Sequence, residues 1–290
     1  MLWKGRIIEK LTMEEFLPIS KTPDALQEAI TRNLVDYSIG FVRVDKTPQG
    51  EDPVLLGSGT LVTIGEISAV LTAEHVVTAL PREGRLGLVL SHEVDMHTVD
   101  TQGLAYKKIA RGSIDAEGPD LGAIFLAPPI AGAIAGKKTF YNLAKRRNQM
   151  LQTPPDLCDG LWVVNGFVDE WTKKETAIDR YKPIKGFCNL SGIGATEPPV
   201  LVGDHDYFAF PVSYGQGSVM PKSFKGMSGG GLWQVPIIRD EQGNLRHKTP
   251  LLSGVVFYQE PTTENRCAVK CHGRLSVYRV AYDSLQNRKP

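Results

Sequence analysis

Two blocks of short, β-branched runs, each run ended by Gly, Pro or Asp, restrict this chain more than any other feature. The first holds SIGFVRV, VLLGSGTLVTI, ISAVLTA and RLGLVLS from residue 38, and closes on LGAIFLA near residue 127. The second holds LWVVNGF, YFAFPVSYG, GGLWQVPII, LLSGVVFYQ and RLSVYRV between residues 161 and 280. Such runs read as strands and turns. Many short strands in two groups predict two packed barrels or sandwiches, and 290 residues suffice to bury cores of that kind.

Helical signals lie between and outside the blocks. TPDALQEAITRNLV, residues 22–35, offers Thr22 as a cap, Pro23 in the first turn and Asp24 at the positive end. KTFYNLAKRRNQML, residues 138–151, returns to helical spacing, with Phe140, Leu143 and Ala144 on one side and Lys145-Arg146-Arg147 read as a solvated face. VAYDSLQNRKP reads as a short terminal helix. The expected division is an N-terminal helical extension (1–36), a first β-barrel (37–130), a helical connector (131–160), a second β-barrel (161–282) and a tail (283–290).

Charge and composition exclude several classes. A net charge of +1 removes the bulk electrostatic motive for nucleic acid or an acidic membrane. The longest uncharged run, Leu121 to Gly136, is short for a bilayer and contains Pro128-Pro129. The N-terminus lacks a secretory apolar core, so the cytoplasm is expected. Four cysteines are too few for a disulfide scaffold and read as reduced structural thiols. Neither they nor the histidines show metal spacing, so no metal and no cofactor is expected.

Within SFKGMSGGGLWQV one hydroxyl, Ser228, sits between Gly226 and three glycines. Gly226-Met227-Ser228-Gly229-Gly230 satisfies the G-x-S-x-G elbow, which needs a helix after the serine. Three glycines are a poor helix start, and the downstream partners, Asp240 with His247 or His272, lack a surrounding βα pattern. The opposite order is better furnished. His75 follows an apolar strand and Thr72-Ala73, Asp120 opens another strand, and Ser228 lies in the second block. Asp115 is a second candidate acid without the apolar run after it. His92, His97, His205, His247 and His272 read as structural or exposed.

The segments GSGTLV, LTAEHVV, DLGAIF and GMSGG, in that order, resemble the signature segments of the trypsin/chymotrypsin-like serine peptidases, in particular the bacterial, disulfide-poor members. The resemblance spans about residues 38 to 282. It implies an all-β-dominated double six-stranded β-barrel, with an N-terminal helix, a helical inter-barrel connector and a short C-terminal helix. It implies a cleft between the barrels holding His75 as base, Asp120 as its orienter and Ser228 as nucleophile, with the backbone N–H groups of Gly226 and Ser228 as the oxyanion hole. A serine hydroxyl needs such a base to attack, and the expected activity is peptide-bond hydrolysis through an acyl-enzyme, on a protein or peptide substrate.

The departures carry information too. Val76 stands where secreted members have a cysteine, and Met227 where digestive members have an activation aspartate. Val76 supports a reducing compartment, while Met227 together with residues 1–36 argues against trypsin-style activation and leaves control by a ligand, a regulatory partner or oligomerisation open. A catalytically silent binding module on the same fold, using the cleft or residues 131–200, is the alternative. Gly122 replaces a common alanine, a change expected to be harmless. The resemblance puts Lys222 and Ser223 at the base of the primary pocket and Val256, Phe257 and Tyr258 on its wall. A cation there would suit an acidic substrate side chain; alternatively Lys222 snorkels to solvent.

Overall fold

The computed structural model describes residues 22–47, 50–90, 96–112, 118–175, 184–215 and 220–287. Asp115 and His92 therefore lie outside the described residues, as does the start of the N-terminal extension. The first sheet comprises β1 (Ser38–Thr47), β2 (Gly50–Ile64), β3 (Ile67–Thr72), β4 (Arg85–Val89), β5 (Met96–Asp100), β6 (Leu104–Arg111), β7 (Asp120–Leu126) and β8 (Tyr141–Asn142). Its order is β5-β4-β1-β2-β3-β7-β6, antiparallel throughout except for β8, which runs parallel to β2. The second comprises β9 (Leu161–Glu175), β10 (Ile184–Gly194), β11 (Val200–Val202), β12 (His205–Ser213), β13 (Gly231–Val235), β16 (Leu251–Gln259) and β17 (Arg266–His272), in the antiparallel order β10-β9-β13-β16-β17-β12-β11. A separate hairpin pairs β14 (Ile237–Arg239) with β15 (Leu245–His247).

Each sheet curls around its own core. Val99 of β5 and Tyr106 of β6, at opposite ends of the first sheet, pack on the same cluster as Phe41, Leu61 and Val70. In the second sheet Leu190, Phe208 and Phe210 meet Trp162, Met227 and Val256. β12 shows the cause: Phe208, Phe210 and Val212 point inward while Pro211 and Ser213 face out, the two-residue period of a half-buried strand. The chain is thus dominated by two antiparallel β lobes, with strand counts of eight and seven rather than six because short segments such as β8 and β11 join them.

A third core lies between the lobes and the helices. α1 (Asp24–Val35) contributes Leu26, Ile30 and Leu34, and α4 (Leu143–Gln152) contributes Leu143 and Met150. Alternation splits β13: Leu232 faces the second lobe's core, while Trp233 and Val235 face this shared one. Trp233 is 1% exposed, with Tyr37 and Tyr141 ring centroids 5.1 and 5.4 Å away.

The helices match the expected places with adjusted ends. α1 begins one turn position later, at Asp24, with Pro23 rather than Thr22 at the cap. α4 begins only at Leu143, because Asn142 accepts the Lys145 N–H at 2.9 Å and starts the helix there. α2 (Glu74–Ala79) and α3 (Pro128–Ala135) complete the set before α5 (Tyr282–Gln286). Arg147 corrects the solvated-face reading: it donates to the Tyr278 carbonyl and to Asp283, and stacks over Tyr282.

RLSVYRV is also corrected, from strand to a helical turn over Ser276–Ala281 that leads into α5. The Asp206 carboxylate accepts the Leu275 and Ser276 N–H groups at 3.1 and 2.8 Å, which caps a helix and withdraws those donors from any ladder. All four cysteines are free, with Cys267 and Cys271 buried. Among the described residues no helix is long and apolar enough to cross a membrane.

Replacing Trp233 by alanine should cost about 3–5 kcal/mol. A lower urea midpoint at unchanged slope is the expected measurement, since the shared core loses its largest side chain without losing either sheet.

Candidate active site

β3 and β7 are paired so that Thr72 lies opposite Gly122. Two residues before Gly122 comes Asp120, and three after Thr72 comes His75, in the first turn of α2. The register therefore sets the two side by side. His75 Nδ1 lies 2.5 Å from Asp120 Oδ2, and the His75 N–H donates to Asp120 Oδ1 at 3.0 Å. The carboxylate thus holds both the ring and the backbone of His75, which fixes the tautomer with its proton on Nδ1. Burial alone would raise the Asp120 pKa; the hydrogen bond and charge of His75, with the His75 and Glu74 amides, outweigh it and hold the carboxyl below its ordinary range.

Gly122 proves to be a spatial requirement rather than an indifferent replacement. A Cβ there would come within 2.7 Å of Val77 Cγ2 and 3.2 Å of Glu74 Cα, so α2 could not lie this close to β7. Glu74, also buried, pairs with Lys108 on β6 at 2.8 Å and accepts from Thr78 at 2.8 Å, which ties the same helix to the neighbouring strand.

The Ser228 loop is held chiefly by its carbonyls. The Lys225 carbonyl accepts the Asp169 N–H at 2.8 Å, and the Met227 carbonyl accepts the Gly230 N–H at 2.8 Å. In a trans peptide the following N–H points opposite to the carbonyl, so the N–H groups of Gly226 and Ser228 turn away from these anchors. Among the described residues neither finds a protein acceptor. Gly226 has φ +93°, and a Cβ there would lie 2.5 Å from Leu55 Cδ2; the position needs glycine for both reasons.

The glycines after Ser228 are close-packed as well. A Cβ on Gly229 would run into the Ser58 carbonyl and Thr72, on Gly230 into the Asn165 carbonyl, and on Gly231 into the Trp233 indole. The three glycines mark where the loop backbone lies too close to neighbouring groups for a Cβ.

Ser58, fully buried in the GSG of β2, was not among the site residues expected from sequence. Its N–H donates to the Ser228 carbonyl at 2.8 Å. Its hydroxyl donates to the Gly226 carbonyl and accepts the Phe167 N–H, both at 2.7 Å. The signal that could have found it is a polar residue between two glycines inside an apolar strand, where only a buried partner justifies a hydroxyl.

His75, Asp120 and Ser228 open on one cleft of about 350 Å³, which Ser223, Phe224, Lys225, Val256, Phe257, Tyr258, Gln259 and Val269 also line. Ser228 is half-buried, and its Oγ lies 3.5 Å from the Phe257 carbonyl, a long contact made in place of one to His75. Ser223, Val256, Phe257 and Tyr258 line the cleft as expected, whereas Lys222 is exposed and does not. The Lys222 and Ser223 N–H groups donate to the Glu170 carboxylate at 3.1 and 2.8 Å, and the Lys222 carbonyl accepts from Gln259 at 3.1 Å. That stretch is fixed through its backbone. A larger cavity of about 590 Å³, bordered by Glu66, Gln102 and Pro128, has no histidine, cysteine or lysine in its lining.

His272 is the other residue that sequence reasoning left outside the site. It is fully buried on β17, and burial, with His205 nearby, pushes its pKa down to about 3. No protein-family model and no curated protein matches the chain. Among solved structures it is similar to "Crystal structure of Rv3671c from M. tuberculosis H37Rv", a serine-to-alanine mutant in an inactive form. That likeness has 12% identity and a TM-score of 0.46, and covers 98% of this chain and 99% of that one.

Two measurements follow from these contacts. Ser58→Ala leaves the Phe167 N–H unpaired in the core and should destabilise by about 1–3 kcal/mol, read from chemical denaturation. The pH dependence has a definite sign. Between about pH 6.5 and 3 the unfolded chain binds a proton at His272 that the folded chain refuses, so stability should fall as pH drops through that window and level off above it. Urea midpoints against pH in wild type and His272→Gln should differ by a slope of about one proton.

Proposed function

We propose that the chain is a serine endopeptidase of the trypsin-like class, hydrolysing peptide bonds through an acyl-enzyme at Ser228. One observation carries the reading: His75 is bonded through Nδ1 to Asp120 on the same cleft as Ser228, whose own N–H and that of Gly226 are unclaimed by acceptors among the described residues. In this reading Ser228 Oγ swings from the Phe257 carbonyl to His75 Nε2, gives up its proton and attacks the scissile carbonyl carbon. Negative charge develops on the former carbonyl oxygen, and the Gly226 and Ser228 N–H groups receive it. One such donor is worth roughly 3 kcal/mol in the transition state.

Asp120 stabilises the imidazolium formed on His75, which then passes its proton to the leaving amine. Water, deprotonated by the same His75, attacks the acyl carbonyl and releases Ser228. The cleft wall of Val256, Phe257 and Val269 favours an uncharged apolar substrate side chain over an acidic one, since Lys222 does not line the cleft and the Lys225 ammonium that does is paired with Asp169 at 3.3 Å. The long Ser228–Phe257 contact favours a resting enzyme that completes its nucleophile–base bond when substrate or a partner protein engages.

A fluorophosphonate probe should label the protein at Ser228, and labelling should vanish in Ser228→Ala and His75→Ala. Amidase turnover should fall by roughly 10⁴-fold or more in each. Folded protein that stays unlabelled between about pH 6 and 9, alone and with cell lysate, would instead mark a binding module.

A further inference from the structure

Asp120 is gripped from two sides. Its carboxylate serves His75, while its backbone N–H donates across to the second lobe, to His272 Nε2 at 3.0 Å. His272 ends β17, is 0% exposed, and is boxed by three rings, with centroid distances of 4.9 Å to Phe257, 5.2 Å to Tyr207 and 5.6 Å to His205.

Accepting at Nε2 leaves the ring proton on Nδ1, and among the described residues Nδ1 has no hydrogen-bond partner. A buried donor without an acceptor is destabilising, so packing alone would be better served by an apolar side chain. What the imidazole adds in return is a single acceptor aimed at the amide of Asp120. An imidazolium could not accept; the depressed pKa keeps this ring neutral where His75 would work.

We propose that His272 is a positioning residue for the reaction: by anchoring the Asp120 amide from the second lobe, it sets where the Asp120 carboxylate meets His75. The amide nitrogen and the carboxyl carbon of one aspartate are only three bonds apart, so a fixed amide removes the backbone freedom that would let the carboxylate drift from the imidazole. The turn before Asp120 is seated by the same ring cluster, since a Cβ on Gly118 would lie 3.0 Å from the Tyr207 ring. The kinetic consequence rests on the peptidase reading; the positioning itself does not.

The test compares wild type, His272→Leu and His272→Gln by two readouts. The first is the far-downfield proton resonance of the short His75 Nδ1–Asp120 hydrogen bond, which needs no activity. The second is kcat and KM on a peptide amide. In His272→Leu the resonance should broaden or move upfield, and kcat should fall roughly 10-fold with KM little changed. His272→Gln, whose side-chain oxygen can accept the same N–H, should recover most of both. His272→Met takes the place of His272→Leu if that variant does not fold. A folded apolar variant that melts earlier but keeps the wild-type resonance and kcat would reduce His272 to a structural staple and overturn the proposal. Should wild type show the resonance without turnover, the peptidase reading fails and the resonance alone decides on His272.

Discussion

The Ser58 hydroxyl lies between the two lobes, accepting the Phe167 N–H from β9 and donating to the Gly226 carbonyl, while its own N–H holds the Ser228 carbonyl. Thr72, at the end of the strand that delivers His75, donates in turn to the Ser58 carbonyl at 2.7 Å. One residue of the first lobe is thereby a common reference for the strand behind His75 and for the loop that carries Ser228. Buried bonds of this kind are expensive to leave unmade, so the lobes have one low-energy way to meet. A shift of either would leave several donors unpaired at once.

Close approach is the second condition, and the glycines supply it. At Gly122, Gly229 and Gly230 a methyl group would strike Val77, Ser58 or Asn165. α2 can therefore lie on β7, and the Ser228 loop can lie on β2, at distances that no other residue allows. The energetic penalty of glycine in the unfolded chain is offset by hydrogen bonds that only form at this separation. Of the glycines in the Ser228 loop, Gly226 and Gly229, where φ is +93° and +90°, also serve by their backbone freedom.

How much of this could be read beforehand follows from range. The alternation of Phe208, Phe210 and Val212, or the β-branched runs of β1 to β4, are local signals, and they gave the strands. The order of His75, Asp120 and Ser228 gave the cluster. RLSVYRV has strand composition, yet Asp206, far off in sequence, caps it into a helix, and no local pattern reports that. β6, LAYKKIAR, is polar because it is an edge strand, so periodicity passes it over. The side chains of Ser58 and His272 hydrogen-bond to partners more than a hundred residues away, and a single sequence does not say which buried polar residues will meet.

The arrangement leaves unequal freedom among the three side chains. His75 is bonded through ring and backbone, and Asp120 through carboxylate and amide. Both loop amides are oriented by carbonyls tied to Asp169 and Gly230. Ser228 Oγ alone rests on a weak contact, to Phe257, and a turn about χ1 between staggered positions is all that separates it from other partners. Electrostatic stabilisation is effective when the dipoles need no reorganisation as charge appears, which, in the proposed reading, is the condition met by every group except Ser228. In such a site the rotor is the natural point of control, because a ligand that pushes Ser228 off the Phe257 carbonyl changes one torsion and disturbs no buried hydrogen bond.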